Sequence, residues 1–154
     1  MSHFSVAVFF ADNKQSAHKL LAPFNGNTEV SPYFNGCRMT ARNPQAKWVS
    51  YKIGGRWRGI IKLKNRKGIK DRLPAKRLKG YYGAFARDID FKASPFITHA
   101  VITPDGEWHS PGTVNGNFFG IRSVERQWNR CYNDCFIKQA IKNKWYILIA
   151  DCSI

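Results

Sequence analysis

His99, Glu107 and His109 stand close together in the run from Phe96 to His109. Imidazole titrates near neutral pH. Two histidines beside a carboxylate can therefore move protons at a reacting oxygen, as RNA cleavage requires. Whether these three meet depends on the turn between them. Thr103-Pro104-Asp105-Gly106 has Pro second, Asp third and Gly fourth, which favours a type I turn closed by a glycine bulge. That geometry sets Val101 against His109 and Thr103 against Glu107. His99 then lies diagonal to His109 on one face, while Phe96, Thr98, Ala100, Ile102 and Trp108 turn to the core. Without the bulge the register shifts by one residue and the histidines part to opposite faces. No His-x-Thr pair occurs, so a two-histidine phosphoesterase motif is not matched. Two ordinary strand histidines are the plainer reading.

Phosphate recognition has a second set of candidates. The chain carries a net charge of +15 over 154 residues. Between Arg56 and Gly80 stand eleven cations and one acid, Asp71, so that this segment holds +10 of the total. The cations are Arg56, Arg58, Lys62, Lys64, Arg66, Lys67, Lys70, Arg72, Lys76, Arg77 and Lys79. Lysine neutralises phosphate without reading sequence, and the fork of arginine matches phosphate geometry. Tyr51, Tyr81 and Tyr82 could stack bases beside them. A two-residue turn at Gly54-Gly55 would put Tyr51, Arg56 and Arg58 on one strand face and Trp48 and Trp57 on the other. The competing expectation is a solvated charged loop, with Arg56 and Arg58 paired to Asp88 and Asp90.

The four cysteines, Cys37, Cys131, Cys135 and Cys152, follow no export signal and are expected as reduced thiols in the cytoplasm. Cys131 and Cys135 sit one helical turn apart, but nothing nearby completes a metal site. They read as small residues on a buried helix face, and neither metal nor cofactor is expected. Cys152, next to Asp151 near the chain end, would need a base to act as a nucleophile. Walker, Rossmann and zinc-ribbon patterns are absent, and no run is long and apolar enough to span a membrane.

These residues need a frame. Phe4 to Phe10 and Trp145 to Ala150 are nearly continuous apolar runs, each expected as a strand buried on both faces and central in one sheet. Lys14 to Leu21 suggests a short helix ended by Pro23. Asn25 to Asn43 reads as a loop with at most one short strand, and Lys47 to Lys64 as a hairpin. The basic stretch Asn65 to Gly83 reads as loop, with at most a short helix near Ala75 to Leu78. Gly112 to Gly120 reads as a Gly and Asn loop. Val124, Trp128, Cys131, Tyr132, Cys135, Phe136 and Ala140 form a stripe at helical spacing after Ser123, a candidate N-cap. The order predicts a single α+β domain over residues 1–154: a mostly antiparallel sheet with one long helix packed on a face.

Five blocks carry a resemblance: Met1 to Phe4 with Val6, Leu21 to Phe24, Trp48 to Gly59, Asp105 to Trp108 with Gly112, and Asp151 to Ile154. In these the chain resembles a family of small, uncharacterised phage and prophage proteins. They open on M-S-H-F-x-V, carry W-x-W-Y-x-I-G-G-R-W-x-G, and end on D-C-H-I. Here Val49-Ser50 interrupts the aromatic block, Phe118-Phe119 stands where two tryptophans are common, and Ser153 replaces the terminal His. If that His were catalytic in relatives, this chain would have lost it. The resemblance implies a phage accessory protein at work in a host cell, without implying a mechanism. Residues and resemblance together lead us to expect a nucleic-acid-binding protein. The alternatives are an enzyme or sponge for small nucleotides, with Arg56, Arg58, Trp57 and the Gly112 to Gly120 loop as its pocket, or an inhibitor clamped on a host protein.

Overall fold

The computed structural model describes residues 1–12, 15–64, 82–92, 96–111 and 121–154, and for 121–123 the backbone alone. The chain has an α+β fold built on its two apolar ends. Strand β1 (His3–Phe10) and strand β8 (Tyr146–Ser153) pair antiparallel over their whole length, from His3 opposite Ser153 to Phe10 opposite Tyr146. Strand β6 (Ala100–Ile102) lies parallel to β1 on its far side, and β7 (Trp108–His109) pairs with β6. On the other edge of β8 two short strands share the work. Strand β4 (Ser50–Ile53) pairs with Ala150 to Ser153, and β5 (Gly83–Phe85) with Tyr146 to Leu148. They meet at Ile149, whose carbonyl accepts from the Gly54 N–H and whose N–H donates to the Tyr82 carbonyl, both at 2.8 Å. The central strands are buried on both faces over most of their length, which explains their largely apolar composition.

Each face of the sheet has its own cover. Val6, Val8, Leu148 and Ala150 pack under helix α1 (Ala17–Leu21), Phe24 and Trp48. Pro23 is accommodated in a 3-10 turn, Ala22–Phe24. Ala7, Phe9, Ile147 and Ile149 pack under one continuous helical run. That run comprises α2 (Ile121–Cys131), a wider π-helical segment (Tyr132–Ile137) and α3 (Lys138–Lys142). Trp128, Tyr132, Phe136 and Ala140 face inward as the stripe predicts. The Tyr132 hydroxyl lies 2.8 Å from Thr98 Oγ1, and the Trp128 indole donates to the Thr98 carbonyl at 3.0 Å, tying the helix to the start of β6.

The turn before β7 follows its residues. Gly106 has φ of +86°, its N–H reaches the Thr103 carbonyl, and Val101 pairs with His109. Several other expectations need correction. Asn25 to Asn43 holds a two-stranded hairpin, β2 (Glu29–Phe34) and β3 (Met39–Arg42), closed at Asn35, whose side chain accepts from the Cys37 and Arg38 N–H groups. It pairs with no other described strand and covers no core, so it left no apolar alternation to read. The helix is described from Ile121 onward, so Ser123 lies inside it and is not its N-cap. Cys131 is half-buried and Cys135 exposed, at the margin of the stripe and not within it. The short helix near Ala75 to Leu78 and the Gly112 to Gly120 loop lie outside the described residues.

The largest departure is at Gly54-Gly55. Among the described residues no strand pairs with β4 as a hairpin partner. Both glycines have positive φ, +74° and +46°, and turn the chain into a 3-10 turn, Gly55–Trp57. Strand β4 pairs with β8 instead. Trp48 and Tyr51 therefore pack on the α1 side, while Trp57 packs on the long-helix side. A Cβ at Gly55 would lie 2.4 Å from Asp151 Cβ. Gly55→Ala combines that clash with a left-handed backbone that alanine disfavours, and is expected to lower stability by about 2 kcal/mol or more. Urea unfolding measures it; an unchanged midpoint would show that the approach is not required.

Candidate functional site

The sheet face beneath the long helix changes character along its length. Side chains two apart on a strand share a face. Phe9 and Ala7 on β1 are followed toward the chain start by Ser5 and His3; Ile147 and Ile149 on β8 are followed by Asp151 and Ser153. Strand β4 adds Lys52 opposite Asp151 and Ser50 opposite Ser153. The result is two rows of polar residues, His3–Ser153–Ser50 and Ser5–Asp151–Lys52, continuing an otherwise apolar surface.

Asp151 is the centre of this group. It is 6% exposed, and a carboxylate so buried needs partners. One oxygen lies 2.9 Å from His3 Nδ1, and the other accepts the Arg56 backbone N–H at 3.0 Å. Burial pushes its pKa upward, but the Arg56 N–H, the His3 hydrogen bond and the charges of both residues prevail and hold it below the ordinary carboxylate value. An ionised carboxylate only accepts, so His3 Nδ1 carries the proton it shares with Asp151. In the neutral ring Nε2 is then left with its lone pair. His3 is 28% exposed, so this nitrogen sits at a partly open edge. The ends of β1 and β8 are held in place by reciprocal backbone bonds between Ser2 and Ile154. Ser50 and Ser153 hydroxyls lie 2.6 Å apart, and Ser5 Oγ accepts from the His99 N–H at 3.2 Å.

Two basic residues adjoin this group: Lys52 lies across the strands from Asp151, and the Arg56 backbone N–H donates to it. Lys52, Arg56, Arg58 and Lys62 are exposed and Lys64 is half-buried. Among the described residues the ion pairs are His3–Asp151 and Lys138–Asp134, and neither involves Arg56 or Arg58. Arg66, Lys67, Lys70, Arg72, Lys76, Arg77, Lys79 and Tyr81 lie outside the described residues. Tyr51 and Tyr82 do not join Arg56 and Arg58 as an open stacking surface. Tyr51 is hydrogen-bonded to His18 and set edge-on to Trp48, 4.8 Å between centroids, and Tyr82 packs against Gly54. Burial, then the neighbouring Cys152 thiol, raises the Tyr51 phenol.

The histidine pair expected in the β6–β7 hairpin does not assemble, although the turn is as anticipated. His99 precedes β6, and its ring rests 5.2 Å from Phe4 on the α1 side. His109 rests 5.1 Å from Phe136 under the long helix and lies 3.0 Å from Thr103 Oγ1. Glu107 is exposed at the turn, where its backbone carbonyl, not its carboxylate, closes the hairpin. Asp151, Cys152 and Ser153 are strand residues and do not follow the strand's end. Cys152 faces the α1 side, where burial first and Asp151 second push its thiol up to about 12, leaving it protonated and weakly nucleophilic.

His3, Ser5, Ser50 and Lys52 escaped the reading of sequence. Their signal was there in part: polar residues at alternate positions on the outer half of each apolar terminal run. What was missing was the register that brings residues 148 apart into contact.

A second feature is a cleft of about 660 Å³ on the α1 side, walled by Phe10, Phe85 and Tyr146, with His18 and Lys144 among its polar lining residues. Among the described residues no group of three His, Cys, Asp or Glu side chains is placed to hold a metal, and no helix is long and apolar enough to cross a membrane.

The lowered pKa of Asp151 has a definite sign in stability. Its contribution is full above the unfolded value of about 3.9 and is lost as pH falls through the lower folded value. Asp151→Asn should destabilise by about 1–3 kcal/mol at pH 7, and the gap from wild type should close below about pH 4. Urea unfolding at stepped pH tests this, and a gap independent of pH would break the assignment.

Compared with protein-family models, curated proteins and solved structures, the chain matches none, and the reading of this site rests on its own geometry.

Proposed function

We propose that this protein binds nucleic acid by its phosphate backbone, along the surface that begins at Lys52 and runs through Arg56, Arg58, Lys62 and Lys64. The observation that carries the reading is the cluster itself: four exposed cations within eleven residues, none of them part of the His3–Asp151 or Lys138–Asp134 ion pairs. Exposed cations at this density, on a chain of net charge +15, attract polyanions at long range. Base stacking is not part of the proposal, because Tyr51 and Tyr82 are engaged in packing. Binding would accordingly be largely indifferent to sequence. Following the phage resemblance, the setting would be the cytoplasm of an infected host.

A second reading, recognition of a small nucleotide, is favoured by the cleft between Phe10, Phe85 and Tyr146 with Lys144 on its wall. Its volume lies in the range of small-ligand pockets. Thermal-shift measurement with linear and cyclic nucleotides tests it, and stabilisation that Lys144→Met abolishes is the expected result.

For the leading reading, fluorescence anisotropy across salt should show affinity falling by about 0.7–0.9 log units per phosphate contact for each decade of salt. Arg56→Gln with Arg58→Gln should weaken all sequences alike and lower the slope by nearly twice that amount. A flat salt response would remove the proposal.

A further inference from the structure

The polar rows hold more than binding requires. Lysine and arginine at the surface suffice to hold phosphate, yet beside them the sheet buries Ser5, Asp151 and Ser153, each less than 8% exposed, where apolar side chains would pack at lower cost. Two glycines at positive φ let the Gly55–Trp57 turn close onto Asp151. The outcome is one oriented imidazole: Nδ1 held by Asp151, Nε2 at the partly open edge. A carboxylate that fixes the tautomer and angle of a histidine is the arrangement by which a neutral imidazole becomes an effective base. Around it stand Arg56, whose backbone is fixed by the same carboxylate, and Lys52, which is paired across the strand with Asp151.

We infer that His3 is the general base of an RNA-cleaving site that shares its substrate with the basic surface proposed above. This inference rests on that reading for delivery of the nucleic acid. In the step assigned here, His3 Nε2 removes the proton of a ribose 2′-hydroxyl. The 2′-oxygen attacks the adjacent phosphorus, forming the 2′-O–P bond as the P–O5′ bond breaks. The departing 5′-oxygen takes a proton from water, and the imidazolium returns its own to solvent. The products are a 2′,3′-cyclic phosphate and a 5′-hydroxyl. No oxidant, metal or other co-reactant enters the balance. Arg56 and Lys52 offset the negative charge that builds on the phosphoryl oxygens. Asp151 is a positioning residue, acting through His3. DNA lacks the 2′-hydroxyl and would be bound but not cut.

The test uses the full chain and a fluorescently labelled single-stranded RNA, with its all-DNA counterpart as the binding control. Cleavage leaving 2′,3′-cyclic phosphate ends, identified by mass, is expected for wild type. The His3→Asn side-chain amide can still donate to Asp151, but it has no basic nitrogen. It should bind RNA as wild type does and cut about 100-fold more slowly or worse, the usual worth of a general base. Independently of how any variant folds, a 2′-deoxy sugar at the cleaved position should abolish cutting by wild type. RNA bound but left intact, cutting that survives the 2′-deoxy substitution, or His3→Asn at the wild-type rate would each overturn the catalytic role while the binding proposal stands. Failure of wild type to bind either oligonucleotide would overturn the binding proposal and this inference with it.

Discussion

A slip of one residue between β1 and β8 would dismantle the molecule. Their register sets Phe9 and Ile147 toward the long helix and Val8 and Leu148 toward α1, and both sets are buried. Because side chains alternate between faces, a single-residue slip would exchange the two sets on one strand while the other stayed fixed. It would also carry His3 away from Asp151. The pairing that makes the core is thus the pairing that makes the polar group. No loop has to be ordered to bring His3 to its carboxylate: both lie in strands already held by packing on two sides.

The polar group in turn accounts for an odd feature of the sheet edge. Strand β8 is covered by two partners in succession, β4 along its second half and β5 along its first. A single long partner would leave nothing to satisfy Asp151 from that side except another side chain. Breaking the edge at Ile149 allows the chain after β4 to turn over the sheet and donate the Arg56 N–H. Gly54 and Gly55 are needed here for two separate reasons. Positive φ lets the chain reverse, and the missing Cβ at Gly55 lets it approach the carboxylate. The aromatic block around them then divides, Trp48 to one core and Trp57 to the other.

What could be read in the sequence was whatever local chemistry dictates. Phe4 to Phe10 and Trp145 to Ala150 announce buried strands because apolar residues nearly fill them, Ser5 being the one polar side chain in either run. Thr103 to Gly106 announces its turn because Pro, Asp and Gly each suit one position of it. The helix stripe is legible for the same reason, although its π-helical segment shifts Cys135 out to solvent. Gly54-Gly55 misled because two glycines between aromatic runs fit a hairpin equally well; only the distant Asp151 decides the matter. The histidines misled more instructively. The hairpin register is the one its residues favour, but His99 lies just before β6 begins, so strand alternation does not govern its side chain, and Phe4 and Phe136 claim the two rings on opposite sides. The site escaped because its partners are joined by register alone.

Register also narrows the chemistry that the site can perform. Asp151 and Cys152 are neighbours in sequence but face opposite sides of the sheet, so the carboxylate that orients His3 cannot present an imidazole to that thiol. Its negative charge instead adds to burial in keeping Cys152 protonated, with a pKa of about 12. Thiolate chemistry is therefore disfavoured at the one cysteine near the site. Ser153 is on the correct face, but its hydroxyl is 2.6 Å from Ser50 and only 2% of the residue is exposed, so it is closed to solvent. Among the described groups of this face that could transfer a proton or attack an electrophile, the partly exposed imidazole of His3 combines an oriented nitrogen with access from solvent.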